Sequence, residues 1–543
     1  MKFQFQCLFI ILILYSVFCK NVIYMLNTIF NQKFLNLLIA IIVAIFTAGY
    51  LRVHFVTFFP EPDGGLYTYL VQEIHAALSN GKNIPSNMPL AIYPLITSWV
   101  FSLEINQYIA LRWIDLLVAI AASFLFYKII LKESGSTIFT ILFAGSALLV
   151  MNDKDFILYG FRNSIWVSYV PLFGALLIWQ SISKVENYKF YYIGALVAFG
   201  ILLREPFLPL FILGGVSIFI AYGQTSFYRY IAGAALLGFI SLGFLFFFRE
   251  GGLSELINSY IDWGNHANRL ERHFIDSSLR VFKVFWFGIF IAIIFIFYAI
   301  KLFWHNKNSV SINRFLFWGS LALIPIIEPL LKYPVPYHFL NCIPGLVGFS
   351  ALGWRHLSLN ESKKTKRYNM LIIILICIYG IYPNLSASLN SKYFKDSKAS
   401  VSYAYDTLWV DIYSDEEQIK WSLHLKIADV IRKASKKDST LGVLNSSHAL
   451  YPITGLRPPI FTGSNTMLNS ILSEKEEGKA IDMLKKYQPT IISTIMYKNL
   501  GEEKPERFAS IIEETNLYEK IYSGNAANIM MGDIYRLKNF KSN

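Results

Sequence analysis

Apolar and polar positions alternate along this chain in long blocks. Apolar runs cover 34–58, 107–131, 137–152, 164–182, 190–204, 207–222, 229–248, 281–303, 315–331, 338–354 and 369–388. About 20 apolar residues in a helix cross the hydrocarbon core of a bilayer. These runs are therefore predicted as membrane helices, with the shorter ones tilted or buried inside a bundle. A further short run, Cys7–Phe18, lies between Lys2 and Lys20. It reads either as an added short helix or as part of an extension, residues 1–24, ahead of a start at Met25; a cleaved signal is the less favoured alternative, because the site after Phe18 lacks an A-x-A pattern.

From about Asn390 the pattern changes to polar sequence with no spanning run. Helical periodicity is predicted over Trp421–Lys437, Glu474–Tyr487 and Pro505–Tyr518, and strands over Thr440–Leu444 and Thr490–Thr494. Ser447–Pro459 reads as a turn-rich loop, and Glu519–Tyr522 with Ile529–Leu537 as a hairpin. Helix and strand alternating at this length suggest a small α/β domain. The expected fold class is an α-helical polytopic membrane protein of about 11–12 transmembrane helices. Its expected parts are an N-terminal segment 1–24, a membrane domain 25–389 with a long loop 59–106, and a C-terminal α/β domain 390–543.

Composition agrees with this reading. Only 16% of the 543 residues are charged and the mean hydropathy is +0.44, whereas soluble domains carry about 25% charged residues. A net charge of +13 would point to nucleic acid in a soluble chain. Here the cations sit mostly in short loops, where they set topology or touch anionic lipid, and no nucleic-acid partner is expected. With Lys33 on the cytoplasmic side, the same side receives Lys132, Lys184, Lys189, Arg229, Lys307, Arg314 and the cluster Arg355, Lys363, Lys364, Lys366 and Arg367. The other side receives 59–106, 153–163, 204–206, 249–280, 332–337 and everything after 388. The 249–280 loop is the exception in its arginine content and is expected to lie over the site. The cysteines, Cys7, Cys19, Cys342 and Cys377, all fall in apolar segments without metal-ligand spacing and read as packing residues.

Candidate chemistry gathers on the non-cytoplasmic side. Glu61 and Asp63 follow the first span, ahead of Gly64 and Gly65 and a predicted surface helix 66–79 carrying Tyr67 and Tyr69. A carboxylate there suits a general base, and an acid-x-acid pair suits a divalent ion with a substrate phosphate. The structural alternative is Asp63 as the N-cap of that helix. Asp153 and Asp155 occupy the second outer loop, as a second catalytic acid or as plain loop solvation. Arg204 suits a phosphate, because its planar fork matches phosphate oxygens, or it pairs with Glu205. Glu328 stands inside an apolar run, where an ionisable group marks function by default. Lys332, Tyr337 and His338 suit phosphate or lipid headgroups. Arg52 and His54, at the end of the first span, are expected to snorkel to the interface. The basic stretch 265–273 reads as an amphipathic surface helix without a convergent ligand set.

The order of these features resembles the GT-C superfamily of polytopic glycosyltransferases, in particular the relatives of protein O-mannosyltransferase and of the lipid A aminoarabinose transferase. The matching residues are Asp63, Tyr67, Gly81, Pro85, Pro89, Leu90, Tyr93 and Arg112, then Tyr337 and Pro344, then Tyr451, Gly455, Arg457, Pro458 and Pro459. The resemblance implies transfer of a sugar from a polyprenyl-phosphate-linked donor to a glycan, lipid or protein acceptor. Asp63 would be the base, Asp153 or Asp155 the second-loop acid, and Arg204 or Lys332 the holder of the leaving phosphate. Many relatives carry a second acid directly after the first. This chain has Gly64 there, which leaves Glu61 as the nearby substitute. No cofactor and no metal are expected, a divalent ion being the less favoured alternative. The implied location is a bacterial inner membrane, with catalytic loops and C-terminal domain outside the cytoplasm. A transporter or flippase of a lipid-linked glycan, and an O-antigen polymerase or ligase, stay open as alternatives. No inverted repeat of the kind common in transporters is evident.

Overall fold

A computed structural model describes residues 32–53, 62–84, 92–103, 107–152, 163–182, 188–204, 207–248, 285–296, 309–326, 336–389, 409–411, 418–443, 448–459, 477–497, 503–523 and 530–539, with a few isolated positions between them. Apolar blocks become helices because a bilayer leaves no other partner for backbone N–H and C=O groups. Helix α1 is Gln32–Val53, α2 is Pro62–Ser79 and α3 is Ile92–Thr97. They are followed by α4 (Gln107–Ser134), α5 (Thr137–Met151), α6 (Asn163–Gln180) and α7 (Lys189–Leu203). The last five of the membrane part are α8 (Leu208–Phe248), α9 (Phe285–Ile296), α10 (Ser309–Leu323), α11 (Ile343–Asn360) and α12 (Lys363–Leu389). Among the described residues, α1, α4, α8 and α12 are long and apolar enough to cross a membrane. The chain is a helical polytopic membrane protein carrying a small α/β unit at its C-terminal end.

The two spans expected at 207–222 and 229–248 form the single element α8, broken at Gly223, whose φ of +79° no helix contains. The break falls where the apolar pattern pauses. After it, α8 returns against α7 with backbone almost in contact. A methyl group added to Gly233 would lie 2.1 Å from the carbonyl oxygen of Tyr191. Small residues allow such approach in helix pairs that have little hydrophobic drive to associate in lipid. Gly233→Ala is therefore expected to cost about 1–3 kcal/mol through overpacking. A fall in thermal midpoint in detergent is the check, and an unchanged midpoint would contradict the packing.

The membrane core is one aromatic-rich cluster that joins α1 with α4 through α12 and includes Phe126, Phe139, Trp166, Tyr169, Phe173 and Trp318. At the end of the bundle where the loop cations collect, buried Glu133 of α4 accepts a hydrogen bond from Gln180 Nε2 of α6 at 2.6 Å. Its other oxygen faces Arg314 of α10 at 3.6 Å. A buried carboxylate needs such partners, and here it ties three helices together. Cys342 and Cys377 are buried and in no disulfide, while Cys7 and Cys19 lie outside the described residues.

The C-terminal unit begins with a short antiparallel pair, β1 (Trp409–Asp411) with β2 (Gln418–Lys420), and helix α13 (Trp421–Ala434). Strand β3 (Leu441–Val443), the one-turn α14 (Leu450–Thr454) and α15 (Glu477–Tyr487) come next. Then follow β4 (Ile491–Ser493), β5 (Met496–Tyr497), α16 (Glu503–Glu514), β6 (Tyr518–Ser523), β7 (Met530–Met531) and β8 (Asp533–Leu537). The main sheet has the order β3-β4-β8-β6, with β3 and β4 parallel and the others antiparallel, while β5 pairs with β7. Side chains alternate across a strand, so Ile491 faces α13 residues such as Ile427 and Ile431, whereas Ile492 faces Leu484 of α15 and Phe508 of α16. The expected hairpin is present as β6 with β8. Inside the expected loop 447–459 the chain makes α14, which ends on Gly455 at φ +75°.

Candidate functional site

Helix α2 starts at Pro62, four residues ahead of the predicted 66–79. Proline suits a first helical position, since its missing N–H has no partner there to lose. Asp63 thus belongs to the first turn and does not precede the helix as a cap. Its side chain lies outside the described residues, as do Glu61, Asp153, Asp155, Glu328 and Lys332 entirely. Tyr337 and His338 fall in the tight helical turn Pro336–Cys342, again with side chains outside the description. The helix ends at Asn80-Gly81, where Gly81 takes φ +61° and Lys82 N–H closes onto Ala77 O at 2.8 Å.

Two faces of α2 are occupied. Leu66, Tyr67, Leu70 and Ile74 pack against Ile92 and Tyr93 of α3 and Leu203 of α7, with Tyr67 edge-on to Tyr93 at 6.2 Å. Val71 joins Val100 and Leu111. The other face meets the C-terminal unit. Tyr69 stacks on Tyr451 at 4.5 Å, and Arg457 donates Nε and Nη2 to the two oxygens of Glu73 at 2.8 and 2.5 Å. Burial pushes the Tyr69 and Tyr451 phenols up, so both stay neutral, and the bond to Glu73 holds Arg457 firmly charged.

A second buried constellation was not foreseen. Arg52 does not snorkel: it is fully buried and ion-paired with Asp115 of α4, itself 0% exposed. Its Nη1 donates to Asn152 Oδ1 at 3.4 Å, and its guanidinium lies 5.2 Å from the centre of the Trp166 ring. A cation this deep needs groups that replace its water, and a carboxylate, an amide and a π face are among those it has. The signal available in the sequence was Asp115 itself, a lone acid in the apolar run of α4. Arg112, three residues earlier, is also buried.

Arg204 ends α7 in extended conformation, 6% exposed. It stands between two features. Leu203 packs under α2, and Phe207 N–H bonds the Arg204 carbonyl at 3.3 Å. Phe207 also lines a crevice of about 650 Å³, counting its open mouth, between α6, α7, α8, α10 and α11. Several polar groups along it are bonded within the protein, whereas Trp179 Nε1 has no hydrogen-bond partner. Tyr169 donates to Asn341 Oδ1 at 2.7 Å, Tyr230 to Phe211 O at 2.9 Å, and Ser217 O accepts from Asn313 at 2.7 Å. What remains for an occupant is apolar surface from residues such as Leu172, Val197 and Leu321.

No family model and no curated protein matches this chain. Among solved structures it is similar to the apo crystal structure of the oligosaccharyltransferase of Archaeoglobus fulgidus, at 12% identity and a TM-score of 0.46, covering 94% of this chain and 75% of that one. At this level the likeness carries no residue-by-residue correspondence.

Proposed function

We propose that this chain is a membrane glycosyltransferase that moves a sugar from a polyprenyl-phosphate-linked donor to a glycan, lipid or protein acceptor on the non-cytoplasmic face, with Asp63 as general base. The observation that carries the reading is the apolar crevice, because its chemistry suits a hydrocarbon chain and one of its lining residues, Phe207, bonds through its backbone to Arg204, a cation suited to phosphate. Transfer from lipid into an apolar crevice gains little hydrophobic energy, since both are equally apolar. The crevice would orient the donor, and orientation is what a displacement needs.

In this reading Arg204 binds the donor phosphate with its guanidinium fork. The acceptor oxygen gives its proton to the Asp63 carboxylate and attacks the anomeric carbon. The bond from that carbon to the phosphate oxygen breaks, the electron pair leaves with the phosphate, and the anomeric centre inverts. Lys332 is the alternative phosphate holder, and Asp153 or Asp155 the second acid. The reading calls for no bound cofactor. It places the protein in a bacterial inner membrane, with the catalytic loops and the C-terminal unit outside the cytoplasm.

Val197→Trp tests the crevice, because the larger ring would fill it. The KM for a long-chain polyprenyl donor is expected to rise about tenfold, equivalent to ~1.4 kcal/mol, with a short-chain donor little affected. Equal effects on both donors, in a variant of normal thermal stability, would remove the hydrocarbon from the crevice.

A further inference from the structure

We infer that Arg457 is a positioning residue that, through Glu73, fixes the setting of helix α2 and thereby of Asp63 in its first turn. The inference rests on the reading of Asp63 given above. On α2, Gly65, Tyr69, Gln72 and Glu73 form one stripe at helical spacing. Each meets the segment 448–457. A methyl on Gly65 would lie 2.9 Å from the backbone nitrogen of Ala449. Tyr69 stacks on Tyr451. Gln72 Nε2 reaches Leu456 O at 3.5 Å, and Glu73, 1% exposed, receives both Arg457 bonds. The segment is itself anchored, since Leu441 N–H of β3 bonds Arg457 O at 2.9 Å. The opposite stripe of α2, through Leu70 and Ile74, rests on Tyr93 and Leu203 of the membrane part. The helix is held between the membrane bundle and the sheet.

These contacts differ in what they fix. Apolar contacts are non-directional, so they oppose separation but tolerate a small slide or turn of the helix. The two-pronged bond between Arg457 and Glu73 does not, because it sets both position and angle. Asp63 is ten residues from Glu73, about 15 Å along the axis at ~1.5 Å per residue, so Arg457 acts on the first turn through the helix. A misplacement of about 1 Å costs up to ~10²-fold in rate.

The test uses the full-length protein in lipid, as wild type, Arg457→Ala and Arg457→Lys. Lysine keeps the charge and loses the fork. Backbone hydrogen exchange is expected to quicken in 62–79 and 448–457 in both variants, with the transmembrane helices unchanged. Transfer from a polyprenyl-phosphate sugar is expected to show kcat lowered at least about tenfold in Arg457→Lys, with donor KM and thermal midpoint close to wild type. A merely structural ion pair would let lysine restore kcat together with the midpoint, and that result would overturn the inference. Unchanged exchange in 62–79 in Arg457→Ala would overturn it as well. Wild-type protein that transfers nothing would sink the glycosyltransferase reading, while the exchange comparison would still decide whether Arg457 sets the helix.

Discussion

Asp63→Asn is expected to lower sugar transfer by about 10²–10⁴-fold, the usual worth of a positioned general base. Asparagine matches aspartate in shape but accepts no proton at neutral pH, so α2 should keep its packing against Tyr93, Leu203 and Tyr451. The thermal midpoint should stay near that of wild type. Transfer and melting measured on the same preparation separate loss of chemistry from loss of fold. If transfer survives, the base is elsewhere, and Asp153→Asn, Asp155→Asn and Glu61→Gln identify which acid carries it. If transfer and the midpoint fall together, Asp63 serves the helix and not the reaction.

The largest effect on stability is expected at the buried pair. Asp115→Ala leaves the Arg52 guanidinium inside the bundle without the carboxylate that pairs with it. Removing one member of a buried pair costs about 3–5 kcal/mol, because the other charge is then uncompensated. Replacing both, as in Arg52→Met with Asp115→Leu, should cost clearly less than the single change, since neither charge then needs a partner. Thermal unfolding of the two variants in the same detergent decides the point. A double variant no better than Asp115→Ala would mean that charge compensation is not what the pair provides.

Hydropathy blocks made the helices legible because the membrane selects length and apolarity directly. The pause after residue 222 foretold the break that Gly223 makes in α8, although the chain stays helical on both sides. In the C-terminal part the helices and the strands β3 and β4 followed the pattern, whereas the two-residue strand β5 lacks the length to show any. The start of α2 was missed because Pro62 reads equally as a loop residue and as a first helical residue. Arg52 was misread for a different reason. Its place at the end of an apolar run suggests an interfacial anchor, and its partner lies 63 positions away. Averaged hydropathy also hides one acid among many apolar neighbours, which is how Asp115 escaped notice.

The contact between Glu73 and Arg457 spans 384 positions. Glu73 looks like any polar residue of a surface helix until the C-terminal unit covers it. Arg457 did stand in the stretch that resembled the glycosyltransferases, but nothing in that stretch named its partner. Of the candidate site residues, Tyr67 packs in one cluster with Leu203, and Arg204 is the next residue along the chain.

Reconstituted vesicles carrying a labelled polyprenyl-phosphate sugar and an acceptor preparation on the non-cytoplasmic side test the central claim most directly. The expected result is label passing covalently to the acceptor, with inversion at the anomeric carbon and release of polyprenyl phosphate. Label that crosses the bilayer still attached to its lipid, with no product formed, would contradict a transferase and establish a carrier instead.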